Sequence, residues 1–306
     1  MSGIEILFLG TGGIMPTKER NVPAIALRHG GEILLFDVGE GTIRQMNTAK
    51  LSPMKVSKIF ITHFHGDHYL GLAALVQTMN LFDRKNPLHI YGPKRAFEFI
   101  GNLLKSGFFK PGFSIHVHEL GRARLKFKGY EVWSFEVSHG IPALGYVFKE
   151  ADRRGRFLLD RLEKLGIKPG PILGELERKG IIEVNGRRIS LEEVTEPKRM
   201  GVKFVYTGDT EPTETTVLFA RNATVLVHDA TYLNPKHKGE SYHSTVLEAC
   251  EIARTAGVNL LVPFHRAFRY DYKTYERTCR ELCNVDLFVA NDFDVIKCRG
   301  NRCELP

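Results

Sequence analysis

Residues 62–68 read Thr-His-Phe-His-Gly-Asp-His, which puts three histidines and an aspartate inside the six positions from His63 to His68. Imidazole and carboxylate are good zinc ligands. The cluster follows directly on a short apolar run, Lys58–Thr62, of strand character. A loop leaving a strand can aim such side chains at one point, and Gly66 permits the tight turn this needs. The chain must therefore fold so that a strand end opens onto a metal site. His116-Val117-His118 repeats the His-x-His spacing without a following Asp-His. In a strand both of its rings would share one face, and it reads as a structural or surface pair. His29, His89 and His237 have no ligand-like neighbours.

Strand-like runs alternate with turns through the first half: Ile4–Leu9, Ala24–Arg28, Ile33–Phe36, Leu88–Tyr91, Val132–Val137 and Leu144–Phe148. Apolar spacing over Tyr69–Phe82 (Leu72, Leu75, Val76, Met79) predicts a helix. After residue 200 the alternation resumes. Strands are expected at Val202–Thr207, Val225–His228, Leu260–Phe264, Val285–Ala290 and Asp294–Cys298, and a helix at Val246–Ala256. This pattern predicts a layered α/β fold with helices outside packed sheets. Between them, residues 151–200 are charged and rich in Gly and Pro, with apolar residues too sparse for a core. They read as an excursion (residues 151–199) from a single domain spanning 1–306.

The chain of 306 residues carries 43 Lys and Arg against 35 Asp and Glu, a net charge of +8. Such a surplus suits either solubility or a polyanionic partner such as nucleic acid. Residues 153–179, within the excursion, hold eight Lys or Arg and four Asp or Glu, a local surplus of four that is half the chain's and that suits backbone-phosphate contact. No apolar run approaches the ~18 residues that span a bilayer. The opening Met1-Ser2-Gly3-Ile4-Glu5 lacks a basic leader pattern, so a cytoplasmic protein without membrane contact is expected. Of the five cysteines, Cys279, Cys283, Cys298 and Cys303 cluster late, with gaps wider than a zinc knuckle. Together with Cys250 they are expected to be buried thiols. Disulfides in cytosol would be unusual outside a hyperthermophile.

His63-x-His65-x-Asp67-His68 resembles the signature of the metallo-β-lactamase superfamily. That resemblance implies an αββα sandwich, and here an inserted flexible arm. It also implies further ligands at strand ends: His139 after Val132–Val137, Asp209 after Tyr206, and His265 after Phe264. By the same resemblance, His63, His65 and His139 bind a first zinc ion and Asp67, His68 and His265 a second. Asp209 bridges them, giving two zinc ions per subunit.

Four further motifs resemble the tRNase Z family in its long-armed form. Gly10–Thr17 with Arg20-Asn21 resembles its N-terminal loop, whose glycines would let backbone N–H groups approach a phosphate. His228-Asp229-Ala230-Thr231 with His243-Ser244-Thr245 resembles its His-Glu-Ala-Thr and His-Ser-Thr pair, with Asp229 in place of Glu. His265-Arg266-Ala267-Phe268-Arg269-Tyr270 resembles its His-x-x-x-Arg-Tyr close, with Ala267 where Ser is usual. Gly155-Arg156-Phe157 and Pro169–Leu176 resemble its tRNA-gripping arm.

The resemblance implies a zinc-dependent endoribonuclease that removes the 3′ trailer of precursor tRNA. It would leave a 3′-hydroxyl and a 5′-phosphorylated trailer, and would work as a homodimer. Asp67 would orient the attacking water, and His243, held by Asp229, would protonate the leaving oxygen. Substrate contacts are expected from Thr11, Thr17, Arg20, Asn21, Arg269, Tyr270, Gly170, Pro171 and Gly174. Two other readings stand beside this one: a metal-dependent phosphodiesterase for small or cyclic nucleotides, and a non-catalytic RNA-binding protein with a structural zinc site.

Overall fold

A computed structural model describes residues 3–108, 110–239 and 241–306. Met1 and Ser2, part of the leader reading, lie outside the described residues. The chain divides into two compact units, residues 1–150 with 202–306, and residues 151–201.

In the larger unit the first half forms β1 (Ile4–Gly10), β2 (Ala24–His29), β3 (Glu32–Phe36), β4 (Val56–Phe60), β5 (Leu88–Gly92) and β6 (Ile115–Glu119). The next three strands are β7 (Ala123–Phe127), β8 (Tyr130–Glu136) and β9 (Leu144–Glu150). The smaller unit contributes one hairpin, β10 (Ile181–Val184) and β11 (Arg187–Ser190). The larger unit then resumes with β12 (Lys203–Tyr206), β13 (Val225–Asp229), β14 (Leu261–Phe264), β15 (Val295–Arg299) and β16 (Arg302–Glu304). One sheet runs β16-β15-β1-β2-β3-β4-β5-β6 and the other β14-β13-β12-β9-β8-β7.

Each sheet is buried on both faces, so its central strands are apolar throughout instead of alternating. Along β1, Ile4, Ile6 and Phe8 join the core between the sheets, while Leu7 and Leu9 join the core under the helices. On the first sheet that outer core meets α1 (Thr42–Thr48), α3 (Leu72–Leu81) and α4 (Ala96–Leu104); α2 is the single turn Gly66–Tyr69. The smaller unit holds α5 (Leu159–Lys164) and α6 (Pro171–Lys179). On the second sheet the outer core meets α7 (Glu214–Ala220), α9 (Val246–Ala256) and α10 (Tyr272–Leu282), and α8 is the turn Pro235–Lys238. The expected αββα sandwich is thus present. Among the described residues no helix is long and apolar enough to cross a membrane.

Three expectations are corrected. The helix read over Tyr69–Phe82 is divided: the Gly71 amide is drawn to Val38 O at 3.0 Å, and regular helix begins only at Leu72. Val285–Ala290 is not a strand. Leu261 on β14 bonds its Asp286 and Phe288, but the next position facing that side is Pro263, which has no N–H to extend the ladder. The cysteines are not all thiols. Cys250 pairs with Cys283, and Cys298 with its cross-strand partner Cys303; only Cys279 stays free. Burial pushes the Cys279 thiol up to about 12, which makes it inert.

Residues 151–201 also depart from expectation, because they do build a core. Leu162, Ile167, Leu176, Ile182, Ile189 and Val194 are buried together, one each from α5, α6, β10 and β11, with Ile167 and Val194 from the loops. Arg153 and Arg199 pair antiparallel at the base of this unit, with N···O distances of 2.9 and 2.7 Å.

Candidate metal centre and active site

The ends of β3, β4, β8, β12, β13 and β14 bring functional side chains to one edge of the sandwich, as open α/β sheets do at their carboxyl ends. His63 comes from the loop after β4, His68 from the α2 turn that follows it, His139 from beyond β8, Asp209 from beyond β12 and His265 from directly after β14. Four sets offer converging ligand atoms: His63, His65 and His139; Asp67, His68 and His265; His63, His68 and Asp209; and Asp209, Asp229, His243 and His265. His65 Nδ1 lies 3.1 Å from both His63 Nε2 and His139 Nε2. His265 Nε2 is 3.3 Å from both Asp67 Oδ2 and Asp209 Oδ2. Asp209 also faces His68 at 3.4 Å, His139 at 3.7 Å and His63 at 3.8 Å, so it stands between the two groups. All seven expected ligands are therefore brought together.

Bound metal fits this donor set. His68 Nε2 and Asp209 Oδ1 are buried facing each other at 3.4 Å, with no hydrogen bond to either among the described residues, an arrangement suited to ligands that share a cation. Burial, reinforced by His68, holds the His63 imidazole well below its usual range. Burial also lowers His65 and His139, so all three favour the neutral, ligating form.

The non-ligating nitrogens are tied down. His68 Nδ1 meets Asp37 Oδ2 at 2.7 Å, His63 Nδ1 meets Thr62 Oγ1 at 3.0 Å, His139 Nδ1 meets Tyr242 O at 2.9 Å, and His265 Nδ1 meets Thr231 Oγ1 at 2.9 Å. Such partners fix ring orientation and tautomer. Asp37 was not found in the sequence. It is fully buried just after β3 and also accepts from the Thr62 amide at 2.7 Å and the Tyr206 hydroxyl at 2.7 Å. Its only sequence signal is an acidic residue directly after an apolar strand. Two glycines permit close approach here. A β-carbon on Gly13 would stand 2.4 Å from the His265 ring, and one on Gly208 would stand 2.7 Å from Thr62.

His243 and Asp229 form a second pair beside the metal groups. His243 Nδ1 lies 2.7 Å from Asp229 Oδ2, so the carboxylate reaches despite being one methylene shorter than Glu. Asp229 also accepts from the Thr210 amide at 3.0 Å, the Thr231 amide at 2.9 Å and the Thr231 hydroxyl at 2.7 Å. Both of its oxygens are thus engaged. Burial works against charge on His243, but Asp229, with Asp209 behind it, raises the imidazole to about 9.

The proposed substrate contacts divide. Thr11, Arg20 and Asn21 are buried and build the loop. Thr11 donates to Asp292 through its amide (3.0 Å) and hydroxyl (2.8 Å). The Asn21 amide donates to the same carboxylate at 2.7 Å. Arg20 donates to Arg266 O at 3.2 Å and Tyr270 O at 3.3 Å. In the same loop the Gly12 and Gly13 amides donate to Asn21 O and Arg266 O. Tyr270 is buried with its hydroxyl 2.8 Å from His237 Nδ1, whereas Thr17 and Arg269 are exposed. Gly170, Pro171 and Gly174 are exposed on the cap and first turns of α6. His116 and His118 stack with His89 at ring distances of 4.9 and 5.4 Å and belong to none of the metal-ligand groups.

Two family models match parts of the chain: the beta-lactamase superfamily domain over residues 193–266, and the anti-Pycsar protein Apyc1 over residues 4–120. Ribonuclease Z of Thermococcus onnurineus is 67% identical over 302 residues, 99% of this chain and 97% of that protein. Ribonuclease Z of Pyrococcus abyssi is 60% identical over 298 residues, 97% of each. The chain belongs to the ribonuclease Z family. It is a metal-dependent endoribonuclease. The crystal structure of the short form of human tRNase Z is similar at 26% identity with a TM-score of 0.68, covering 95% of this chain and 98% of that one. The candidate location for that chemistry is the edge where both sheets deliver histidines and aspartates.

Proposed function

We propose that this chain cuts the 3′ trailer from precursor tRNA, leaving a tRNA 3′-hydroxyl and a 5′-phosphorylated trailer, and that it works in the cytoplasm as a homodimer of the long-armed type. The observation that carries the chemistry is Asp209 facing both histidine groups, His68 at 3.4 Å and His265 at 3.3 Å. His63, His65 and His139 would hold one zinc ion, Asp67, His68 and His265 the other, and Asp209 would bridge. Two zinc ions there would supply a hydroxide near neutral pH and neutralise charge on the scissile phosphate.

The chain's own groups do the rest. Asp67 accepts the Ile14 amide at 2.8 Å through Oδ2, which fixes the carboxylate that orients the water and takes its proton. His243 donates from Nδ1 to Asp229, so Nε2 is the atom that delivers a proton to the departing 3′ oxygen. Asp229 positions that ring and sustains its charge.

Residues 151–201 fit the role of tRNA-gripping arm by charge. Lys164, Lys168 and Arg178 are exposed and make no salt bridge among the described residues. Leu81, Phe82 and Phe97 are exposed at the end of α3 and the start of α4, apolar surface of the kind a second copy would cover.

Replacing His243 with Ala tests the assignment. Zinc content should stay at the wild-type value while cleavage of a precursor tRNA falls by about 10²–10⁴-fold. Wild-type rates would remove His243 from the mechanism. Wild-type turnover of a small chromogenic diester without any cutting of precursor tRNA would favour a small-molecule phosphodiesterase instead.

A further inference from the structure

Two exposed side chains flank the metal centre, and each is held by one of its ligands. The Ile14 amide donates to Asp67, which belongs to the Asp67–His68–His265 group. The Tyr242 carbonyl accepts from His139, which belongs to the His63–His65–His139 group. The two residues are thus registered to different ends of the metal pair. Both turn large apolar side chains to solvent, Ile14 at 53% and Tyr242 at 50% exposure.

Folding alone does not explain either placement. Ile14 has φ +72°, a left-handed backbone in which a β-branched side chain is strained and glycine is at ease. Its side chain gains little burial to offset that strain. Strained residues of this kind cluster at ligand sites. Tyr242 packs on Gly140, itself at φ +73°, where any β-carbon would stand 2.7 Å from the tyrosine ring. The ring is therefore held in place one residue before His243.

The phosphodiester itself engages the charged groups between these residues. What extends to either side of it in RNA is a nucleobase, whose flat apolar face stacks on such surfaces with little sequence preference. We propose that Ile14 and Tyr242 are the two walls of a nucleobase subsite, which receives the bases of the nucleotides immediately 5′ and 3′ of the cut. This rests on the RNA-cleaving reading of the metal centre.

Precursor tRNAs made abasic at one or the other flanking nucleotide provide the test. Tyr242→Ala should raise KM for the intact precursor about tenfold, and Tyr242→Phe, which keeps the ring, should stay within about twofold of wild type. One abasic substitution should weaken wild type about as much, yet have little further effect on Tyr242→Ala. Ile14→Gly should melt no lower than wild type and still raise KM, and it should couple to the other nucleotide. Additive losses at both nucleotides, or an unchanged KM for Tyr242→Ala and Ile14→Gly, would overturn the subsite. Failure of the wild-type enzyme to cut the intact precursor would instead count against the RNA-cleaving reading.

Discussion

At the residue scale, the site depends on groups that never reach the ligand. Asp37 takes hydrogen bonds from the Thr62 amide and hydroxyl and the Tyr206 hydroxyl, and it steadies His68. It stands at φ +57°, and His265 at φ +61°, both left-handed without being glycine. Backbone strain at these points persists because the surrounding bonds fix it. Replacing Asp37 with Ala should leave His68 free to turn and lower metal affinity by about 10–100-fold, measured by competition with a chelator. Unchanged affinity would make Asp37 purely a packing residue.

The sequence shows this scale unevenly. His63, His65, Asp67 and His68 are legible because they lie in one short run after a strand. His139, Asp209 and His265 stand alone, and only the family resemblance singles them out. Asp37 has no ligand-like neighbour at all. The burial of Arg20 and Asn21 was not legible, because a motif lists residue types without showing surroundings, and here the Arg266 and Tyr270 carbonyls and Asp292 engage their donors.

At the element scale, strands with continuous apolar runs were readable, and so was α9, which the Thr245–Glu248 capping box starts and Gly257 ends. The core of residues 151–201 was not. Its six buried residues are scattered singly among charged neighbours, and they meet only once α5, α6, β10 and β11 fold together. Antiparallel pairing of Arg153 with Arg199 brings the ends of this unit close, so Asp152–Lys198 can be excised with a short joint. That deletion should weaken precursor-tRNA binding far more than hydrolysis of a small phosphodiester, and it should flatten the salt dependence of binding. Equal losses on both substrates would give the unit a structural role only.

The cysteine pairing was also hidden, because spacing does not reveal which elements become neighbours. The Cys250–Cys283 link ties α9 to the residue after α10 across a separation of 33. By loop closure it should contribute about 3–4 kcal/mol. Denaturant unfolding of the Cys250→Ser/Cys283→Ser variant should show that loss, and a difference below about 1 kcal/mol would contradict it.

At the scale of the whole molecule, the two sheets meet over one aromatic core, in which Phe36 stacks with Phe60 at 5.2 Å and contacts Phe204 of the opposite sheet at 5.3 Å. Each half of the chain supplies ligands, so bound metal clamps sheet to sheet. Removing it should lower stability by RT ln(1 + [metal]/Kd), about 2.7 kcal/mol when the metal stands at a hundred times Kd. A thermal midpoint that does not move on chelation would show that the ligands are held by packing alone.

Seven side chains, with Asp209 shared, are proposed to hold two ions that together cut RNA. Elemental analysis of the purified protein, run beside a precursor-tRNA cleavage assay on the same sample, tests it most directly. Two zinc equivalents per chain are expected, falling with loss of cleavage when His265 or His139 is replaced by Ala. Full cleavage by a protein that binds one ion or none would contradict the claim.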